Sequence, residues 1–344
     1  MRNDPARQPK LVGWGVTNRC NLSCPHCYSS ASKAFGEELD TGTGLAVLED
    51  LAGLGAERIG WTGGEPLLRK DLERWIAAAA GYGIRSGITT NGTPLTPKRA
   101  ESLRRAGLET VQISLDGSTV ERNRRIRGAS AADFRRVLRA VGLAREAGFS
   151  VHMAMLVGRE TLDDVREYLA LATDLGVVSV RFCGYVPWGR GIDAGCRDRL
   201  DLRGTLPELR ALVEELSSAG EPQVLFDPAF GPLPPYYDYH ECLAGMEMLY
   251  LSPEGDVYPC TALLDERFRV GNVTRRPLPE IWNDPGMTEV ARYPRERITG
   301  PCRDCEAFPR CGGACRGISH AYTGDLDASF PACLLDRNAA VFAG

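Results

Sequence analysis

Three cysteines lie within eight residues near the start of the chain, in the segment CNLSCPHCY. They are Cys20, Cys24 and Cys27, with the spacing C-x3-C-x2-C. Thiolates this close together suit a soft metal, and a cubane iron–sulfur cluster takes one thiolate per iron. A triplet would leave one iron of such a cluster free for a non-protein ligand. A structural zinc ion completed by His26 is the alternative, although zinc ligands usually come as two separated pairs.

Seven more cysteines lie in the last hundred residues, where turn residues are common and hydrophobic periodicity is weak. They are Cys242, Cys260, Cys302, Cys305, Cys311, Cys315 and Cys333. This composition favours a small region that is held together by metal rather than by a large apolar core. A zinc ribbon built from the four cysteines between 302 and 315 is an alternative, but it leaves the other three unexplained.

The elements that position these residues follow from the hydrophobic pattern. Apolar runs predict strands at 11–16, 58–62, 85–89, 110–115, 150–156 and 177–182, and amphipathic segments predict helices near 43–54, 71–81, 97–106, 131–147, 162–175 and 206–219. This alternation predicts an α/β fold with a parallel sheet and helices outside it. Six strands fit an open, partial (β/α)6 barrel of the TIM type, with a small C-terminal cysteine-rich domain. In such folds the chemistry lies at the C-terminal ends of the strands.

Residues whose combination of types is unusual for a plain turn follow several of these strands. They are Gly63, Gly64, Glu65 and Pro66 after the second strand, Thr89 and Asn91 at the third, Ser114 and Asp116 at the fourth, and Cys183 after the sixth. Each one taken singly is also a common turn or cap residue. Their convergence on one edge of the sheet, together with the cysteine loop, favours a single active site.

The length and charge of the chain limit the classes of function. The 344 residues suffice for a tail at 1–10, a barrel at 11–204, a linker with a helix at 205–239 and a cysteine-rich domain at 240–344. The net charge of −4, without a basic run or a long apolar stretch, argues against nucleic acid and membrane as partners. The N-terminus lacks a secretory signal, so we expect a cytoplasmic protein whose cysteines bind metal.

The C-x3-C-x2-C loop, with His26 before its third cysteine, resembles the signature of the radical S-adenosylmethionine (SAM) enzymes. The resemblance implies that Cys20, Cys24 and Cys27 hold a [4Fe–4S] cluster and that SAM binds the fourth iron. An external reductant of the flavodoxin or ferredoxin type would supply one electron. The resulting 5′-deoxyadenosyl radical would take a hydrogen atom from the substrate.

Other residues extend the resemblance to the SAM site. Residues 63–66 are similar to the GGEP motif of the family, whose glycines let the backbone approach the amino group of SAM. The resemblance places Thr89, Asn91, Ser114 and Asp116 near the ribose and methionine of SAM. Arg127 looks like the arginine that binds the SAM carboxylate, although the residues just before it depart from the family pattern.

The late cysteines resemble the SPASM domain, which binds two auxiliary clusters and would bring the total to three [4Fe–4S] clusters. The implied distal ligands are Cys302, Cys305, Cys311 and Cys333, and the implied proximal ligands are Cys242, Cys260 and Cys315. The proximal cluster then needs a fourth ligand from a nearby residue, a displaceable group or the substrate. Cys196 is one possible donor.

Cys183 suggests a reaction, because a thiol at the end of the sixth strand can donate a hydrogen atom to a carbon radical. We therefore expect epimerisation of a small polar metabolite, such as an aminosugar or aminocyclitol of antibiotic biosynthesis. The early first strand leaves no room for a leader-binding domain, which favours a small molecule. The alternatives are a structural role for Cys183, dehydrogenation with electron transfer to an auxiliary cluster, peptide maturation, and a non-enzymatic iron–sulfur electron carrier.

Overall fold

The computed structural model describes residues 7–31, 37–216, 220, 222–231 and 242–333. Its strands are β1 (Leu11–Gly15), β2 (Arg58–Thr62), β3 (Arg85–Thr90), β4 (Leu108–Ser114), β5 (Ser150–Val157), β6 (Ser179–Gly184), β7 (Gln223–Phe226), β8 (Met248–Leu251), β9 (Asp256–Tyr258) and β10 (Gly271–Asn272). They form one sheet in the order β10-β9-β8-β1-β2-β3-β4-β5-β6-β7. Neighbouring strands from β8 through β1 to β7 pair in parallel.

The predicted partial barrel is confirmed, with the six expected strands in chain order. Two strands that the sequence pattern did not predict extend it. β7 pairs with β6, so part of the segment at 205–239 is barrel sheet rather than linker. β8 pairs with β1 on the opposite edge and leads into the antiparallel strands β9 and β10. The domain limits proposed above therefore cross a continuous sheet.

The helices are α1 (Thr41–Gly53), α2 (Leu72–Gly81), α3 (Pro97–Arg105), α4 (Val120–Arg127), α5 (Ala131–Glu146), α6 (Val165–Asp174), α7 (Ala194–Leu200), α8 (Leu206–Leu216), α9 (Leu278–Trp282), α10 (Phe308–Cys311) and α11 (Arg316–Thr323). α4 is the unexpected one near the site. Thr119 caps its N-terminus by accepting a hydrogen bond from Arg122 N, and Gly128 ends it in the left-handed conformation with φ of 68°. These two caps place Arg127 in the last turn.

The main core lies between the sheet and its helices. Trp14 on β1 stacks with Trp61 on β2 and Trp75 on α2, with ring centroids 5.4 and 5.0 Å from Trp14, and all three rings are fully buried. Because side chains alternate along a strand, the residues between these core positions face the inside of the barrel. Among the described residues, no helix combines the length and apolarity needed to cross a bilayer.

Candidate active site

The cysteine loop leaves β1 at the C-terminal edge of the sheet. Cys20, Cys24 and Cys27 are partly exposed, and none of them is in a disulfide. Leu22 N lies 3.4 Å from Cys20 Sγ, and Cys27 Sγ lies 3.5 Å from Ser29 Oγ. Burial raises the pKa of Cys20, and the hydrogen bond from Leu22 N partly offsets this increase.

His26 links this loop to the end of the fourth strand. Its Nδ1 lies 3.2 Å from Ile126 O, and its Nε2 lies 3.3 Å from Asp116 Oδ2. Both ring nitrogens therefore have partners other than a metal. This arrangement argues against the alternative of a zinc ion completed by His26.

Asp116 lies at the centre of a buried charged group. Arg127 Nε donates to its Oδ2 at 2.7 Å, and Leu156 N donates to its Oδ1 at 2.7 Å. Burial opposes ionisation of Asp116, but the charges of Arg127 and His26 outweigh it and lower the pKa of Asp116. The same ion pair raises the pKa of Arg127 against the effect of its burial. Both groups are therefore charged at neutral pH.

Arg127 has donor capacity left over. Its Nη1 lies 3.3 Å from Ser114 O, and its Nη2 has no hydrogen bond to any described residue. The side chain is 12% exposed. A guanidinium held on one edge and free on the other can bind a carboxylate, which is the role that the sequence predicts for Arg127.

The two glycines after β2 are required by a close backbone approach. A Cβ on Gly63 would lie 2.5 Å from Thr17 O, and one on Gly64 would lie 2.3 Å from Arg19 O. Gly63 also has a φ of 124°, which disfavours any side chain. Gly64 N donates to Thr17 O at 2.7 Å. The glycine loop thus packs directly against the backbone that leads into the cysteine loop.

Glu65 is fully buried and ties two strand ends together. Its carboxylate accepts hydrogen bonds from Thr90 Oγ1 at 2.6 Å, Asn91 N at 2.7 Å and Leu67 N at 3.0 Å. Burial raises the pKa of Glu65, and these three hydrogen bonds partly offset the increase. Because both oxygens are occupied, the structure gives Glu65 a positioning role. Pro66 follows as the first residue of a short 3-10 helix and is buried.

The remaining predicted SAM contacts lie along the same edge. Asn91 Nδ2 donates to Asn21 Oδ1 at 2.9 Å and lies 3.9 Å from Cys20 Sγ, so it contacts the cysteine loop. The Thr89 hydroxyl faces the barrel interior, where Gln112 Nε2 lies 3.5 Å away. Ser114 contributes its carbonyl to Arg127. The structure therefore brings all the predicted SAM contacts to one edge of the sheet.

The late cysteines fall into two groups. Burial raises the pKa of Cys260, and the nearby Cys315 and Cys242 raise it further, which places these three thiols together. Cys302 and Cys305 likewise raise the pKa of Cys311, after burial as the main cause. These groupings agree with the proximal set and with three of the four distal residues that the resemblance implies. Cys302, Cys315 and Cys333 all lie at the edge of the apolar cluster that contains Phe330.

Cys196 does not join the proximal group. Its thiol is buried and hydrogen-bonded to Tyr185, in an apolar cluster with Leu200 and Ile318. Cys183 is the last but one residue of β6, one position inside the strand rather than after it. Its thiol is hydrogen-bonded to the carboxyl group of Asp227, which follows β7. The nearest titratable partner of Cys183 is therefore a residue that the sequence pattern did not reveal.

Comparisons with known proteins test these inferences. The model of the radical SAM superfamily matches residues 14–172, and the model of the SPASM iron–sulfur cluster-binding domain matches residues 242–306. The AdoMet-dependent heme synthase of Methanosarcina barkeri is 30% identical over 95% of this chain and 96% of its own length. The chain belongs to the radical SAM superfamily. PqqA peptide cyclase of Gluconobacter oxydans, another relative of this radical SAM protein, is 33% identical over 93% of this chain and 89% of its own length.

A solved structure supports the fold of this radical SAM enzyme. Native anSMEcpe with bound AdoMet and a peptide superposes with a TM-score of 0.75, over 97% of this chain and 96% of that chain, at 18% identity. The two family domains imply [4Fe–4S] clusters and SAM as cofactors.

The residues present fit these cofactors. Among the described residues, no three His, Cys, Asp or Glu side chains converge closely enough to bind a single metal ion. A cubane instead binds each thiolate through a different iron, so its cysteines stand farther apart than the ligands of one zinc ion. Partly exposed thiols without disulfide partners, beside a glycine loop that admits no side chain, suit a cluster with a ligand on its open face.

Two residues of this radical SAM site were missed by sequence reasoning. Arg190 Nε donates to Cys24 O at 2.9 Å, and Arg190 N donates to Cys27 O at 3.0 Å, so the loop after β6 holds the cysteine loop. Asn123 on α4 accepts from Asp116 N at 3.0 Å and fixes the orientation of that residue. The departure from the family pattern just before Arg127 is the one sequence signal that points to this helix.

Proposed function

We propose that this radical SAM enzyme modifies a peptide. The observation that carries the proposal is the similarity to PqqA peptide cyclase, which extends over 93% of the chain at 33% identity. Peptide maturation was the alternative expectation from the sequence. The small-metabolite substrate that was expected first, an aminosugar or aminocyclitol, has no support among these relatives, and neither has its epimerisation or dehydrogenation.

The site residues have distinct roles in this proposal. Cys20, Cys24 and Cys27 would hold the SAM-binding cluster, and the other two cysteine groups would hold two auxiliary clusters. When bound and reduced, the cluster supplies the electron that splits SAM and releases a 5′-deoxyadenosyl radical. Arg127 would bind the SAM carboxylate through its free Nη2, held in place by Asp116. The backbone at Gly63 and Gly64 would face the amino group of SAM, since the side chain of Glu65 is occupied.

A second candidate is modification of a tetrapyrrole. The heme synthase of M. barkeri is matched over 96% of its own length, compared with 89% for the peptide cyclase. Because the match covers nearly the whole heme synthase, a tetrapyrrole is the second candidate substrate.

Product analysis distinguishes the two candidates. The anaerobically reconstituted enzyme is incubated with SAM and dithionite, together with each short peptide encoded beside its gene, a heme-precursor porphyrin, or a panel of aminosugars. The proposal predicts a mass change in one peptide with stoichiometric 5′-deoxyadenosine. A change in the porphyrin alone would favour the second candidate, and a change in an aminosugar alone would refute both.

A further inference from the structure

Three glycines lie side by side on the inner face of the sheet. Gly13, Gly60 and Gly87 pair directly across β1, β2 and β3, and so form a row without side chains. Gly60 is exposed although its strand is paired on both sides. A Cβ built there would meet only Val12 O, at 3.9 Å. The inner face therefore has open space at Gly60, whereas a Cβ on Gly13 would contact Tyr250 at 3.0 Å and one on Gly87 would contact Thr110 Oγ1 at 2.4 Å.

The opposite wall, on β5 and β6, is polar and carries a cation. Val180 and Phe182 are fully buried in the outer core, so Arg181 and Cys183 point to the inner face. Arg181 is half-buried. Its guanidinium forms no hydrogen bond or ion pair with any described residue. A partly desolvated charge without a partner is unfavourable unless a ligand supplies one.

The groups around Arg181 do not neutralise it. His152 lies between Ser179 Oγ at 2.8 Å and Ser150 Oγ at 3.1 Å. Burial lowers the pKa of His152, and the positive charges of Arg181 and Arg58 lower it further. The His152 ring is thus neutral, and the guanidinium groups of Arg181 on β6 and Arg58 on β2 both oppose its protonation.

The carboxyl group of Asp227 interacts electrostatically with Arg181, but its hydrogen bonds go to other groups. Its Oδ1 accepts from Ala229 N at 2.9 Å and from Gly184 N at 3.2 Å, and it also binds the Cys183 thiol. Burial raises the pKa of Asp227 to about 6, and the charge of Arg181 opposes this increase, so Asp227 is mostly ionised at neutral pH. Asp227 therefore offsets part of the charge of Arg181 without forming an ion pair with it.

We propose that Arg181 binds a carboxylate of the substrate inside the barrel. This inference rests on the proposed function and deepens it, because it names the substrate as carboxylate-bearing. A guanidinium binds a carboxylate through two parallel hydrogen bonds, which fixes orientation as well as position. Cys183 lies two residues further along the same face, about 7 Å closer to the C-terminal end of β6. A substrate held at Arg181 thus presents carbons close to its carboxylate to the reaction zone.

The carboxylate has two sources in a peptide, the C-terminus and an acidic side chain. Three nearly isosteric probes separate them: N-acetylglutamine, N-acetylglutamate α-amide and the neutral N-acetylglutamine amide. Their binding to the reconstituted, SAM-loaded enzyme is measured by isothermal titration calorimetry, with SAM occupying its own site. We expect at least one carboxylate probe to bind tenfold more tightly than the neutral probe, and the tighter of the two identifies the source.

Variants assign the preference to Arg181. Arg181→Gln should abolish the tenfold preference, and Arg181→Lys should retain part of it. Arg85→Gln is the control, because Arg85 starts β3 of the same sheet, away from β6, and is already paired with Glu109 at 2.9 Å. Equal binding of neutral and charged probes to the unmodified enzyme would overturn the inference even if Arg181→Gln failed to fold. A preference that persists in folded Arg181→Gln would overturn it as well.

The failure of this inference can be told apart from failure of the proposed function. If no peptide is modified but the carboxylate preference depends on Arg181, only the peptide proposal fails. If a peptide is modified with equal kcat/KM by the unmodified enzyme and by Arg181→Gln, only the role of Arg181 fails.

Discussion

Asp116 Oδ2 lies 2.7 Å from Arg127 Nε and joins the end of β4 to the last turn of α4 in a nearly buried ion pair. His26 contacts the same oxygen from the cysteine loop, at 3.3 Å. One carboxylate therefore sets the relative positions of the arginine proposed to bind SAM and of the loop proposed to hold the cluster.

Asp116→Asn is expected to destabilise the fold and to weaken SAM binding at least tenfold. The substitution leaves the charge of Arg127 buried without its partner, which costs about 3–5 kcal/mol in comparable cases. Urea unfolding of the protein and titration with SAM measure the two effects. Asp163→Asn is a matched control. Asp163 pairs with Arg122, which lies on the same helix as Arg127, but Asp163 is 72% exposed. That pair should contribute less than about 1 kcal/mol. Equal losses in the two variants would contradict the central role of Asp116.

Glu65→Gln tests the link between the glycine loop and β3. The three partners of Glu65 all donate hydrogen bonds, so an amide NH2 would face Asn91 N without an acceptor. We expect a loss of about 1–3 kcal/mol in the free energy of unfolding. Glu109→Gln, at an exposed ion pair with Arg85, should cost less than about 1 kcal/mol.

The difference in the free energy of unfolding between the wild-type protein and Glu65→Gln should depend on pH in a definite direction. Burial raises the pKa of Glu65 above that in the unfolded chain, so the folded state favours its protonated form. The stabilisation that results is complete at pH values below the pKa of Glu65 in the unfolded chain. It is lost as the pH rises through the pKa of Glu65 in the folded protein. The stability difference between the wild-type protein and Glu65→Gln should therefore narrow from pH 5 upward and then level off. A difference that widens with pH would contradict the raised pKa.

Iron content tests the assignment of the proximal cysteines. Cys260→Ala should lower the iron content of the reconstituted protein by about four atoms per chain, because the substitution removes one of the cysteine ligands of a cubane. Cys196→Ala should leave the iron content unchanged, since Cys196 contacts Tyr185 in an apolar cluster. Equal iron loss in both variants would make Cys196 a ligand of the proximal cluster.

The sequence predicted the six barrel strands to within about two residues at most ends because glycine stop signals and apolar runs marked them. It missed β7 because four residues, Gln223–Phe226, are too few to show periodicity. It also missed α4, whose only apolar residues are Val120 and Ile126, so that no amphipathic face was visible.

At the site, too, features that depend on residues close in sequence could be predicted, and contacts between residues distant in sequence could not. Cysteine spacing and a double glycine are local signals, and they indicated the loops that do meet in space. The partner of Cys183 could not be predicted in this way, because Asp227 reaches it only through the pairing of Phe182 with Phe226 across β6 and β7. Likewise, the occupied carboxylate of Glu65 follows from contacts with the end of β3, which the motif itself does not specify.

The contact between Cys183 and Asp227 leads to a prediction about the reactivity of this thiol. Burial raises the pKa of Cys183 well above its ordinary value, and the negative charge of Asp227 raises it further. Asp227→Asn removes that charge, so more of the thiol is ionised at a given pH and alkylation by iodoacetamide should be severalfold faster. Mass spectrometry of tryptic peptides gives the rate at Cys183, with the buried Cys196 as an internal reference.

The same variant separates this charge effect from general loosening of the fold. The effect should be largest above pH 7, where Asp227 is fully ionised in the wild-type protein, and should shrink below pH 6, because the pKa of Asp227 is about 6. Loosening of the structure would instead speed alkylation of Cys196 and Cys183 alike at every pH. An unchanged alkylation rate at Cys183 above pH 7 would show that Asp227 does not control the ionisation of this thiol. It would also remove the support that the contact with Asp227 gives to Cys183 as a hydrogen-atom donor.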